Sequence, residues 1–172
     1  MTIHTEHPFA TPEPDRSPIR RFRGRLPSPV SLWTAATPDV RAGLTVSSLL
    51  IADGDPGYAV GVIDELSELW DVLRSTGRTA ITVLDWDDRV MADRFGFVAP
   101  APGGPFAGTD WLDTDWGPVP AGSGSWAGGV VLSEATRPLG WGLQLTVRLE
   151  HVELGADADA PLVHRRGRYS TF

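Results

Sequence analysis

Few residues in this chain can do chemistry. There is no cysteine, so a thiolate nucleophile, a disulfide framework and a Cys-bound metal are all excluded. All 15 basic residues are arginine, so a Schiff-base or general-base lysine is excluded too. Hydroxyls and guanidinium groups remain. Thr45, Ser47 and Ser48 stand together at an expected strand end. Hydroxyls and backbone N–H groups there can cup a phosphate, because both donate hydrogen bonds to an anion. The same residues also suit the wet face of an ordinary strand. Near the C-terminus, Arg168 offers a planar fork for a phosphate or carboxylate, with His164 beside it. Both are equally readable as exposed cations of a surface strand. Asp110, Asp113 and Asp115 resemble a fragment of a calcium loop without its glycine and distal glutamate, so no metal site is expected. No catalytic constellation, P-loop, G-x-G-x-x-G or G-x-S-x-G is present.

The elements that must hold these groups are mostly strands. Val30–Ala35, Gly43–Asp53 and Tyr58–Ile63 read as strands separated by Pro/Gly/Asp turns. A helix follows, capped by Asp64, with Leu66, Leu69, Trp70 and Leu73 on one face and Gly77 beyond its end. Thr79–Leu84 is a fourth strand, and a shorter helix spans Asp87–Phe95. Residues 100–124 read as a long loop, which would leave Trp111 and Trp116 exposed in a monomer. Two strands close the body. In the second, Leu143, Leu145, Val147 and Leu149 alternate with polar residues, and then Val152 and Leu154 continue one residue out of phase. That slip predicts a bulge near Glu150 and His151, with His151 structural. Seven strands with two short helices argue for a barrel or sandwich, and the long bent strands favour a barrel.

The apolar fraction, 41% over 172 residues, suffices for one core. Residues 1–25 read as a flexible, arginine-rich arm, and residues 26–172 as the folded domain. Five arginines lie between Arg16 and Arg25. From Leu26 onward ten arginines face nineteen acids, a net of −9. An acidic body excludes broad nucleic-acid binding. The arm's arginines can bind phosphate or lie against the acidic body. No apolar run reaches the ~20 residues that cross a bilayer, and no secretory signal is visible, so a cytoplasmic protein is expected.

Several segments together resemble the flavin-reductase-like, FMN-binding family. GLTVSS (43–48) is followed by an Asp-Pro turn and an apolar strand, DGDPGYAVGVI. LRSTGRTAITVL, PFAGTDW (105–111) and the closing LVHRRGRY then follow in the family's order, over most of residues 20–172. The resemblance implies a mainly β fold, a six-stranded split β-barrel of Greek-key topology with two or three short helices. It implies a homodimer with FMN, or FAD, at the subunit interface. It also implies hydride transfer from NADH or NADPH to that flavin, often in the service of a partner monooxygenase. The alternatives are a split barrel that holds flavin without reductase activity, and a Trp-rich interaction module.

By this resemblance the cofactor-binding residues are Thr45, Val46, Ser47, Ser48, Ser67, Phe106, His164 and Arg168. The phosphate lies near the four hydroxyls, the ring near Phe106 and the partner's C-terminal segment, and His164 at a flavin edge. The sequence departs from the family in two places. Asp64, Glu65 and Glu68 surround Ser67 where the family is neutral or basic, leaving Arg74, Arg78 or the arm to supply positive charge. The family's Asp-His pair is replaced within Arg137–Gly142, where Trp141 is the candidate for stacking on a ring.

Overall fold

The computed structural model describes residues 17–156 and 160–172. Residues 1–16 of the expected arm lie outside them. The arm's remainder begins with a short helix, α1 (Pro18–Arg23), capped by Ser17, whose side chain accepts from Arg20 N. Two strands follow, β1 (Ser28–Pro29) and β2 (Ser31–Ala36), then β3 (Arg41–Val46), β4 (Leu50–Ala52) and β5 (Tyr58–Ile63). Next come α2 (Glu68–Thr76), β6 (Arg78–Val83) and α3 (Arg89–Phe95), with a single 3-10 turn before α3. The remaining strands are β7 (Trp111–Asp113), β8 (Pro118–Pro120), β9 (Trp126–Val131), β10 (Arg137–Leu139), β11 (Gly142–Glu153), β12 (Val163–Arg165) and β13 (Arg168–Ser170).

The main sheet is antiparallel throughout, in the order β3-β2-β6-β9-β11-β5-β4, with β10 on β11. It curls until β3 meets β5. The fold is therefore mainly β, with three short helices. The concave side holds Trp33, Ile81, Leu145 and Val147, closed by Leu69, Val72 and Leu73 of α2. Burying each such leucine contributes roughly 1.5–3 kcal/mol. A second cluster, with Leu32, Leu84, Phe95 and Leu162, lies under α3. A third, of Ala80, Val119, Trp126 and Trp116, covers the far side of β6 and β9.

The phase slip in β11 is a bulge. The register against β9 shifts between Leu149 and His151, and the His151 ring stacks on Trp116 at 5.1 Å and lies 4.7 Å from Trp126.

Three expectations are corrected. The helix after β5, α2, begins at Glu68, because Asp64 Oδ1 accepts from Leu66 N and forms a turn, while Ser67 takes the cap. Leu66 is consequently exposed. The expected strand 43–53 breaks after Val46 and resumes at Leu50, because Ser48 turns to clamp β5. The expected loop 100–124 contains the strand pair β7–β8, whose prolines are tolerated on a sheet edge. Its Trp111 and Trp116 are half-buried rather than exposed, since Trp116 lies on Gly128 and Trp111 joins the Phe95 cluster. Exposed apolar surface is found elsewhere, at Leu50, Ile51, Leu66, Leu139 and Trp141.

Gly43 admits α3 to the sheet. A Cβ there would stand 2.7 Å from Cε1 of the fully buried Phe95 ring. Gly43→Ala is predicted to destabilise the fold by about 1–3 kcal/mol through overpacking. Chemical denaturation compared with wild type checks this, and an unchanged midpoint would mean that α3 shifts freely.

Candidate functional site

The candidate residues fall in two groups joined by the end of β3. Thr45 and Val46 are its last residues. The Thr45 hydroxyl donates to the Ala92 carbonyl of α3 at 2.7 Å. Val46 is buried, and its carbonyl accepts from Ser31 Oγ, which itself accepts from Trp33 Nε1. Ser48 donates to the Val62 carbonyl at 3.1 Å and accepts from the Val62 amide at 2.8 Å, holding the chain against β5. Ser67 donates to the Asp64 carbonyl and accepts from Trp70 N. The hydroxyl protons of Thr45, Ser48 and Ser67 are thus engaged within the chain. Ser47 makes no side-chain hydrogen bond among the described residues.

The corner around Ser67 is acidic. Asp64, Glu65 and Glu68 are exposed and form no ion pair among the described residues. Arg74, which sequence reading offered as a neutralising group, is tied to Asp71. Arg78 reaches instead to the Asp115 carbonyl.

The second group gathers around α3. Phe106 packs edge-on against Phe95 at 4.8 Å and leans on Trp111 at 4.8 Å; Trp111 Nε1 donates to its carbonyl at 2.9 Å. Phe106 is therefore a half-buried part of a cluster rather than a free platform. Tyr169 belongs to the same cluster and meets His164 edge to face at 5.8 Å. His164 is half-buried, and burial, aided by the Arg23 guanidinium, holds its imidazole below the usual range. The Tyr169 phenol is pushed up to about 12, by burial first and then by the negative charge of the nearby Asp93 carboxylate. Arg168 is exposed, opposite Arg165 across a two-residue turn in which Arg166 (φ 54°) and Gly167 (φ 77°) both have positive φ.

Sequence reading missed the Asp93–Tyr169 contact. Asp93 sits on a helix face with no distinctive pattern, and only the fold carries it to the C-terminal hairpin. Trp141, a candidate for stacking, stands fully exposed at the tip of the β10–β11 hairpin. Asp113 of the acidic triplet accepts from Arg41 with both oxygens, at 2.7 and 2.9 Å. No helix among the described residues is long and apolar enough to cross a membrane.

Tyr169 and His164 give opposite pH signatures. A raised phenol stabilises the fold fully below pH 10, and that contribution is lost as pH rises toward about 12. A lowered imidazole stabilises the fold above its ordinary value of about 6.5, and that contribution is lost as pH falls. Tyr169→Phe is predicted to remove the late phenolate transition from an ultraviolet titration and to flatten the alkaline limb of the stability curve. His164→Gln flattens the acid limb only.

The family described as flavin reductase like domain matches residues 23–172. No curated protein sequence matches. Among solved structures, a homologue of nitrilotriacetate monooxygenase component B from Mycobacterium thermoresistibile is similar at TM-score 0.80 and 22% identity, covering 90% of this chain and 84% of that one. The NADH:FAD oxidoreductase of Streptomyces globisporus is similar at TM-score 0.79 and 18% identity, covering 92% and 93%. The flavin reductase component of a bacterial two-component tryptophan halogenase is similar at TM-score 0.76 and 18% identity, covering 90% and 96%. At these identities the likeness is one of fold.

Proposed function

The chain belongs to the flavin reductase like domain family, and on that premise we propose that it is a flavin-binding oxidoreductase. It passes hydride from NADH or NADPH to FMN or FAD and supplies reduced flavin to a partner monooxygenase. One observation carries this reading: β3 ends in hydroxyls, and α3 draws that end toward Phe106 and the His164–Tyr169 hairpin. The donor set fits an aromatic, anionic cofactor, with the Ser47 hydroxyl at the strand end, the half-buried edge of the Phe106–Tyr169 cluster beside it, and cations at Arg168 and Arg23. When bound, the flavin supplies the chemistry itself, accepting hydride at N5 from nicotinamide C4.

The protein's part is to bind and orient. Ser47 donates to the phosphate, Thr45 and Val46 fix the strand end, and Ser48 and Ser67 shape the corner through their own hydrogen bonds. His164, neutral at working pH, can offer a hydrogen bond to a flavin edge. The six-stranded split barrel is read as β3-β2-β6-β9-β11-β5. The exposed Leu50, Ile51, Leu66, Leu139 and Trp141 support a homodimer that covers them.

A second reading, a split barrel that holds flavin without reducing it, draws support from the carboxylates at the phosphate corner. Two unit charges ~4 Å apart repel by about 1–4 kcal/mol depending on exposure.

The reductase is tested by NADH and NADPH oxidation with added FMN or FAD. Flavin binding without turnover leaves the second reading, and an absorbance spectrum unchanged by flavin removes both. Ser47→Ala is predicted to weaken FMN binding about ten- to a hundredfold, the effect of a hydrogen bond of ~1.5–3 kcal/mol to a charged group. Glu68→Ser tightens binding, more so at low salt. Ser67→Ala chiefly costs about 1 kcal/mol of helix stability through the lost cap. Fluorescence quenching and thermal melts separate these effects.

A further inference from the structure

The arginines of this molecule fall into two populations. Those of the body are engaged. Arg41, Arg74, Arg89 and Arg148 meet carboxylates, while Arg78, Arg94 and Arg137 reach carbonyl or amide oxygens. The others lie together. Arg20, Arg21, Arg23 and Arg25 belong to α1 and the residues just after it; Arg165, Arg166 and Arg168 belong to the β12–β13 hairpin. β1 pairs with β12, placing Ser28 opposite His164. Arg166 N donates to the Gly24 carbonyl at 2.9 Å, and Arg165 Nε donates to the Arg25 carbonyl at 3.3 Å. Two stretches 140 residues apart are thereby joined into one cationic lobe. None of its seven guanidinium groups meets a carboxylate among the described residues, although the chain from Leu26 onward carries a net −9.

We propose that this lobe binds the adenosine diphosphate half of a dinucleotide. Guanidinium forks match paired phosphate oxygens bidentately, and several at close quarters suit a pyrophosphate better than a single charge. The lobe is small and bounded by an acidic body, which disfavours an extended polyanion such as nucleic acid. It also adjoins the His164 and Tyr169 rings, so the charge stands beside aromatic surface. The inference rests on the flavin reading in one respect, the choice of a dinucleotide. FAD and the nicotinamide dinucleotides share this half.

Calorimetric titration of the full chain with ADP is the test, alongside adenosine and, separately, FMN. ADP binds at least tenfold more tightly than adenosine, and its affinity falls with salt. Arg166→Ser with Arg168→Ser, and independently Arg20→Ser with Arg21→Ser, each weaken ADP at least tenfold without lowering the melting temperature. Arg137→Ser leaves ADP binding unchanged. Loss of affinity for FAD but not NADH in these variants assigns the lobe to the flavin, and the converse assigns it to the nicotinamide cofactor. Stronger binding of 2′,5′-ADP than ADP points to NADPH. ADP bound no better than adenosine, or equally well by both double variants, overturns the proposal. FMN binding stands apart: its failure removes the flavin reading and leaves the ADP result intact.

Discussion

The candidate site depends on how closely the Phe95 ring approaches the β3 backbone at Gly43. With no side chain at Gly43, α3 settles against the sheet deeply enough for its Ala92 carbonyl to accept from Thr45. The next residue, Asp93, then reaches the Tyr169 phenol, and Phe106 closes over Phe95 from the other side. One close approach thereby ties the hydroxyl end of β3, an aromatic cluster and the C-terminal hairpin into a single unit. Moving α3 by the width of a methyl group disturbs all three, because a packed core does not absorb such shifts smoothly.

A second constraint is electrostatic. The expected phosphate corner is the wrong place for a dianion if charge alone decided, since Asp64, Glu65 and Glu68 crowd it and Arg74 is tied to Asp71. Positive charge is concentrated instead on α1 and the β12–β13 hairpin. Under the proposed function, two tasks that a single basic loop could combine are separated. Neutral donors would define a position at the strand end, and guanidinium groups would supply attraction beside His164. Attraction from exposed guanidinium groups is screened over about 8–10 Å at ordinary salt, so ionic strength acts mainly on the second task.

Much of this architecture was legible in the residues. Period-2 alternation marked β5 and β11, and the slip from Leu149 to Val152 located the bulge that the register change displays. The spacing of Leu69 and Leu73, with Gly77 beyond, marked α2. Its start was misplaced, because Asp64 and Ser67 are both competent caps and only tertiary contacts choose between them. β7 and β8 were hidden by prolines and glycines, which disfavour strands unless an edge accepts them. At the site, residue types were legible but their commitments were not. A sequence presents Thr45, Ser48 and Ser67 as free hydroxyls; the fold gives each an internal acceptor. Likewise the arm's arginines and those of HRRGRY look unrelated until β1 pairs with β12.

The engaged hydroxyls change how the strand-end motif is understood. Ser48 holds β5 through both its donor and its acceptor functions, so its side chain builds the corner after β3. Thr45 does the same for α3. Hydride transfer between two bound cofactors needs no protein acid or base, only their relative placement. In the proposed reading the fold therefore keeps its shape while ligand choice falls to a few groups, the half-buried Ser47 and the exposed Glu68 and hairpin arginines.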